Sequence, residues 1–110
     1  MHVTISARQC VVPGPVRRHT EERLRRLTRF EPRLHGAEVN FEVEGGVHRA
    51  EARVIVPGAP LMVARGQGAT FRVAVDRATD RLRRRLKNKR GRLRNHPGAR
   101  SSPEMVPAGG

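Results

Sequence analysis

Hydrophobic positions along this chain switch between two periods. Residues 2–7, HVTISA, alternate, with Val3, Ile5 and Ala7 on one face, which predicts a strand. VVPGP (11–15) breaks the alternation. Pro13 and Pro15 suit the first turn of a helix, where a missing N–H removes no intrahelical bond. Val16, Thr20, Leu24, Leu27 and Phe30 then recur at helical spacing until Pro32 closes the helix. Glu21 and Glu22 come before Arg25, Arg26 and Arg29, an order that suits the helix dipole. Alternation returns in AEVNFEVE (37–44), with Val39, Phe41 and Val43 inward and Glu38, Asn40, Glu42 and Glu44 outward. Gly45-Gly46 is a hairpin turn candidate. HRAEARVIV (48–56) is the return strand, with Arg49, Glu51 and Arg53 on its wet face, and PGAP (57–60) turns into a third strand, LMVARG (61–66). From about Ala69 the period is helical again, with Phe71, Val75, Ala78, Leu82, Leu86 and Leu93 as the apolar stripe and Gly91 weakening its end. HPGARSSPEMVPAGG (96–110) has no period and is expected to be a disordered tail.

These elements predict an α+β fold of order β-α-β-β-β-α in one domain, residues 1–95. Each element has one apolar face, so two layers follow: a four-stranded sheet with both helices packed on one face. The first strand reaches the second through a helix and is expected to run parallel to it. The last three strands form an antiparallel meander.

Charge changes this picture from a fold to a candidate interface. The 110 residues carry a formal net charge of +13 from 23 Lys and Arg against 10 Asp and Glu. Such a charge attracts polyanions and makes association salt-dependent. It also opposes close self-association, so a monomer is expected when the protein is free. The charge is not spread evenly. Arg17, Arg18, Arg23, Arg25, Arg26 and Arg29 lie in the first helix. Eleven more lie in the second: Arg72, Arg77, Arg81, Arg83, Arg84, Arg85, Lys87, Lys89, Arg90, Arg92 and Arg94. Four acids, Glu38, Glu42, Glu44 and Glu51, decorate the strands instead. A charged helix face is ordinarily just solvated, but ordinary surfaces intersperse both signs. Residues 81–94, RLRRRLKNKRGRLR, contain no acid at all. On a helical wheel Arg83, Lys87, Arg90 and Arg94 flank the apolar stripe on one side, and Arg77, Arg81, Arg84 and Arg92 on the other. Either flank could meet Arg26 and Arg29 of the first helix, and the sequence does not choose between them.

What the chain lacks narrows the chemistry. It has no Trp or Tyr, and its three Phe sit at core positions, so it offers no aromatic platform for unpaired bases. Recognition of backbone and shape is favoured over recognition of base sequence. Five His are scattered without metal-ligand spacing around Cys10, Glu21-Glu22 reads as a dipole and ion-pair feature, and GQGA lacks the context of a phosphate-binding loop. No enzyme, metal or cofactor is expected. His19 reads as a partly buried polar residue or an RNA contact. Cys10, beside Val11 and Val12, reads as a small buried hydrophobe. No signal peptide or membrane span is evident, and the expected setting is the cytoplasm.

ISARQCVV, VRRHTEERLRRLTRF with its LxxLxxF ending, AEVNFEVEGGVHRAEARVIVPG and AVDRATDRLRRRLKNKR occur in an order that resembles the ribosome hibernation-promoting factors. That family includes the ribosome-associated inhibitor called protein Y and carries the older label sigma-54 modulation protein. The resemblance runs from Met1 to about His96. It implies a fold similar in its later part to double-stranded RNA-binding domains, and binding of small-subunit rRNA in the channel of messenger and transfer RNA. Carried over by position, the family's basic sites fall on Arg8, then Arg23, Arg26 and Arg29, then Arg81, Arg84 and Lys87, with Arg90 and Arg92 in a more variable basic end. The chain departs from the family pattern at His19, Arg72, Arg77 and Asn88, where Tyr, an aromatic, an apolar residue and Lys are common. Long members add a ribosome-dimerising domain, and nothing after His96 resembles it. The expected partner is therefore the ribosome, and the expected activity is inhibition of translation. A generic RNA- or DNA-binding module is the alternative. A protein that docks acidic partners or anionic membrane through its second helix is a third reading.

Overall fold

The computed structural model describes residues 1–94, with side chains as far as Asn88. The tail expected at 96–110 lies outside the described residues. The elements are β1 (His2–Arg8), α1 (Gly14–Arg26) with a 3-10 turn after it (Leu27–Arg29), β2 (Gly36–Glu44), β3 (Val47–Ile55), β4 (Met62–Gly68) and α2 (Phe71–Arg94). The four strands form one sheet in the order β1-β2-β3-β4. β1 runs parallel to β2, pairing Val3 with Ala37 and Ala7 with Phe41. The other two pairings are antiparallel. Gly45 and Gly46 join β2 to β3 with φ of 58° and 79°, the left-handed pair that a two-residue hairpin of matching twist requires.

Both helices cover one face of the sheet, and the core lies between the layers. Val39, Phe41, Ala50, Ala52, Val54 and Ala64 rise from the sheet to meet Leu24 and Leu27 from the first helical segment and Ala74, Val75, Ala78, Leu82 and Leu86 from α2. All of these are buried. Each larger one contributes roughly 1.5–3 kcal/mol by leaving water. Two threonines enter this core by satisfying their hydroxyls locally. Thr20 Oγ1 donates to the Val16 carbonyl at 2.8 Å, and Thr79 Oγ1 to the Val75 carbonyl at 2.8 Å.

The structure differs from the pattern-based expectation in two places. The first helix tightens to 3-10 geometry at Leu27, before Pro32 is reached. β4 runs on past Gly66 through Gln67 and Gly68, two residues beyond the end the alternation gave it. The reason is the close seat of α2 on β4. A Cβ at Gly66 would collide with the Ala74 carbonyl oxygen and stand 2.6 Å from the Ala78 nitrogen. Gly66 is thus a strand residue chosen for the helix lying on it.

Candidate nucleic-acid interface

Three groups of cations on the helix layer have different neighbours. The first group lies between the helices. Arg23 of α1 reaches α2, where its Nη2 donates to Asp80 Oδ1 at 2.6 Å and to the Asp76 carbonyl at 3.0 Å. Its Nε donates to Thr79 Oγ1 at 3.0 Å and lies 3.3 Å from Asp76 Oδ1. One turn earlier, His19 Nε2 lies 2.6 Å from Asp76 Oδ1, and Arg72 Nη2 approaches His19 Nδ1 at 3.5 Å. Arg83 stands 3.9 Å from Asp80. Leu27, Phe30, Arg26 and Arg83 continue the cleft beyond Asp80. The α2 flank that faces α1 is therefore the one carrying Arg83, and it is the flank on which both acids of α2 sit.

The second group lies along the opposite flank, over the free edge of β4. Arg77 Nη1 donates to the Gln67 carbonyl at 2.7 Å, Arg81 Nη1 to the Arg65 carbonyl at 3.0 Å, and Arg85 Nη1 to the Val63 carbonyl. The i, i+4 spacing on the helix spans about 6 Å and the two-residue spacing on the strand roughly 6.6 Å, so the two rows stay in step. The third group, Arg84 and Lys87, is exposed on the side of α2 away from the core, and Arg26 is exposed on α1.

The outer face of the sheet is a different environment. Arg8, Arg49, Arg53 and Arg65 alternate there with Glu38, Glu42, Glu44 and Glu51, as the registers place them. Much of this face lines a shallow trough of about 900 Å³. Most of its charge is paired. Arg49 Nη1 donates to Glu44 at 2.7 Å, and Glu51 accepts from Arg65 at 2.8 Å and from Arg53 at 3.2 Å. Burial alone would raise the Glu51 carboxyl, but the hydrogen bonds and charges of Arg65 and Arg53 outweigh it and hold the group below the usual carboxylate range. Ser6 donates to Asn40 in the same trough.

The residues expected to form one site are distributed accordingly. Arg26, Arg84 and Lys87 are exposed on the helix layer, and Arg29 is exposed just after α1. Arg81 belongs to the β4 flank, and Arg23 is engaged between the helices. Arg8 lies across the sheet, beside Glu42 and Arg49 on the outer face. Arg90 and Arg92 fall beyond the described side chains. Cys10 is half-buried, its Sγ 3.7 Å from the Phe41 carbonyl. Asp76 and Asp80 were missed as organising residues, although they are spaced i, i+4 like the His19 and Arg23 they meet. Arg77 and Arg85 were missed because strand-edge carbonyls leave no mark in a sequence. Among the described residues, no cluster of His, Cys, Asp and Glu could hold a metal ion, and no helix is long and apolar enough to cross a membrane.

Comparison with known proteins adds to this geometry. Residues 3–94 match the model of the family described as sigma 54 modulation protein / S30EA ribosomal protein. A ribosome hibernation promoting factor from Azotobacter vinelandii is 32% identical over 108 residues, covering 97% of this chain and 100% of that protein. The N-terminal domain of Protein Y from Thermus thermophilus superposes with a TM-score of 0.72 at 30% identity, covering 81% of this chain and 99% of that one. A ribosomal subunit interface protein from Coxiella burnetii shares the fold, with a TM-score of 0.76 at 19% identity over 83% of this chain and 99% of that one.

Proposed function

The chain belongs to the sigma 54 modulation protein / S30EA ribosomal protein family, and from that premise we propose that it is a hibernation factor that binds the small ribosomal subunit and silences translation. In this reading it occupies the channel that messenger and transfer RNA need, and cations of its two helices hold the rRNA backbone. The mechanism is steric occupancy. Lys and Arg neutralise phosphates and release counterions, and no bond is made or broken. The reading places the protein in the cytoplasm, as a monomer when free, with no membrane or small-molecule partner.

One observation carries the reading: the segregation of charge between the layers. Arg84 and Lys87 stand exposed on α2 with no carboxylate paired to them among the described residues, while the outer sheet face balances its Arg with Glu. A polyanion therefore meets net positive charge on the helix side and a largely neutral surface on the other. Phe41 and Phe71 are locked edge-to-face at 5.4 Å, and Phe30 packs against the core, so the helix side presents backbone-binding forks without stacking platforms.

Sedimentation with ribosomes through sucrose, scanned over salt with bare RNA duplex as competitor, tests the proposal. The protein is expected to pellet with small subunits at physiological salt and to resist excess duplex. Arg84→Glu combined with Lys87→Glu is expected to abolish pelleting while leaving the circular dichroism unchanged. Complete removal by duplex would reduce the protein to a generic RNA binder.

A further inference from the structure

The row of arginines over β4 has a consequence for where RNA is held. An arginine bonded to a backbone carbonyl keeps its full charge and four of its five N–H donors. Arg23 and Arg83, by contrast, face Asp76 and Asp80, so the charge of these two arginines in the cleft between the helices is matched by carboxylates. Among the described residues no carboxylate pairs with Arg77, Arg81 or Arg85. β4 is an edge strand, and Val63, Arg65 and Gln67 turn their carbonyls away from β3. In an antiparallel ladder a residue that turns its C=O outward turns its N–H outward too. Each of these carbonyls already accepts one arginine N–H, so the edge has less acceptor capacity left while its N–H groups stay available. Three cations thus line this strand edge, at intervals comparable to those between successive phosphates.

We propose that Arg77, Arg81 and Arg85, set against the edge of β4, form a rail that binds the phosphodiester backbone of RNA, and that this flank of α2, rather than the cleft between the helices, is the main polyanion surface. The inference rests on the RNA-facing reading of the helix layer and extends it to Arg77 and Arg85. The carbonyl bonds hold the guanidinium groups in place before RNA arrives, so less side-chain freedom is lost on binding. The same bonds cover the β4 edge against pairing with another strand.

The test compares the intact protein, Arg77→Gln with Arg85→Gln, Arg77→Lys with Arg85→Lys, and a control, Arg49→Gln with Arg53→Gln, which removes the same charge from the outer sheet face. Affinity for a bare RNA duplex is measured against salt. The Gln pair on the rail is expected to weaken binding about tenfold at physiological salt, and to reduce the slope of log K on log salt by about 2. The Lys pair, which keeps the charge, is expected to restore most of the slope and keeps the test valid if the Gln pair folds poorly. The control is expected to leave the slope as it is. An unchanged slope in the rail variant overturns the proposal, as does an equal loss in the control or failure of the Lys pair to restore the slope. An unchanged slope with dimers seen by light scattering would leave the three arginines as an edge cover only. Pelleting with ribosomes judges the hibernation reading separately, because the duplex slopes stand whether or not the intact protein binds ribosomes.

Discussion

Gly66 shows most clearly how one residue sets the distance between the layers. The atoms a Cβ would meet there are helix backbone, Ala74 O and Ala78 N, and Arg77 Cβ at 2.9 Å, so α2 would have to lift as a body. Gly66→Ala is expected to cost about 3 kcal/mol in urea unfolding, at the upper end for overpacking. Gly46→Asn, in the hairpin with nothing within 4 Å, is expected to cost less than about 1 kcal/mol. Glu51 makes a different kind of prediction. Its carboxyl is lowered from 4.5 by Arg65 and Arg53. A depressed folded-state value stabilises the protein above the unfolded value and is lost as pH falls through the folded one. Glu51→Gln is therefore expected to cost about 1 kcal/mol at pH 7 and progressively less as pH falls below 4.5, read from unfolding midpoints across that range. A constant difference would contradict the pairing. The outward position of Glu51 was legible from alternation alone. Its two arginine partners were not, because Arg65 comes from a strand whose register only folding fixes.

At the scale of elements, the helices are joined by polar chemistry as well as by Leu24, Leu27 and Leu82. Arg23 and His19 descend from α1 onto Asp76 and Asp80 of α2. Asp80 is 40% exposed at its side chain, so solvent screens the pair and its worth is modest. A double-mutant cycle on Arg23 and Asp80 is expected to give a coupling of about 1 kcal/mol that shrinks in high salt. Coupling near zero at low salt would mean the pair does not set the helix contact. The helices themselves were legible from their 3.6-residue period, as was their charge. Which flank of α2 faces α1 was not, since both flanks carry Arg and the wheel is nearly symmetric in basic residues. Asp76 and Asp80 break that symmetry, but only the crossing of α1 over α2 makes their side the inner one.

For the molecule as a whole, the balance of signs between layers is the property that function would use. On the helix side Arg26, Arg77, Arg81, Arg84, Arg85 and Lys87 are among the described cations that have no carboxylate paired to them. If most of them meet phosphates, log K for ribosome binding should fall with log salt at a slope of about −4 to −5. A slope shallower than about −2 would show that the charge is solvated rather than bound. The +13 net charge was plain in the sequence. Its division into arginines matched by carboxylates and a flank without them needed the fold, because the matching depends on pairs such as Arg23 with Asp80 that lie far apart in the chain.

Period and punctuation alone determined the order β-α-β-β-β-α, the two-layer packing, the parallel first pairing and the buried faces of the first three strands and of the helices as far as the described side chains reach. Those features follow from local rules: side chains alternate on a strand, recur every 3.6 residues on a helix, and chains turn at Gly and Pro. Tertiary structure alone decided the length of β4, the partner of each arginine and the place of Arg8 on the outer face. Each depends on a contact between segments distant in sequence, and no local rule constrains those. Nothing local shows that position 66 must be glycine until α2 lies on it, and Arg77, Arg81 and Arg85 look like solvated charge until the β4 carbonyls come within reach.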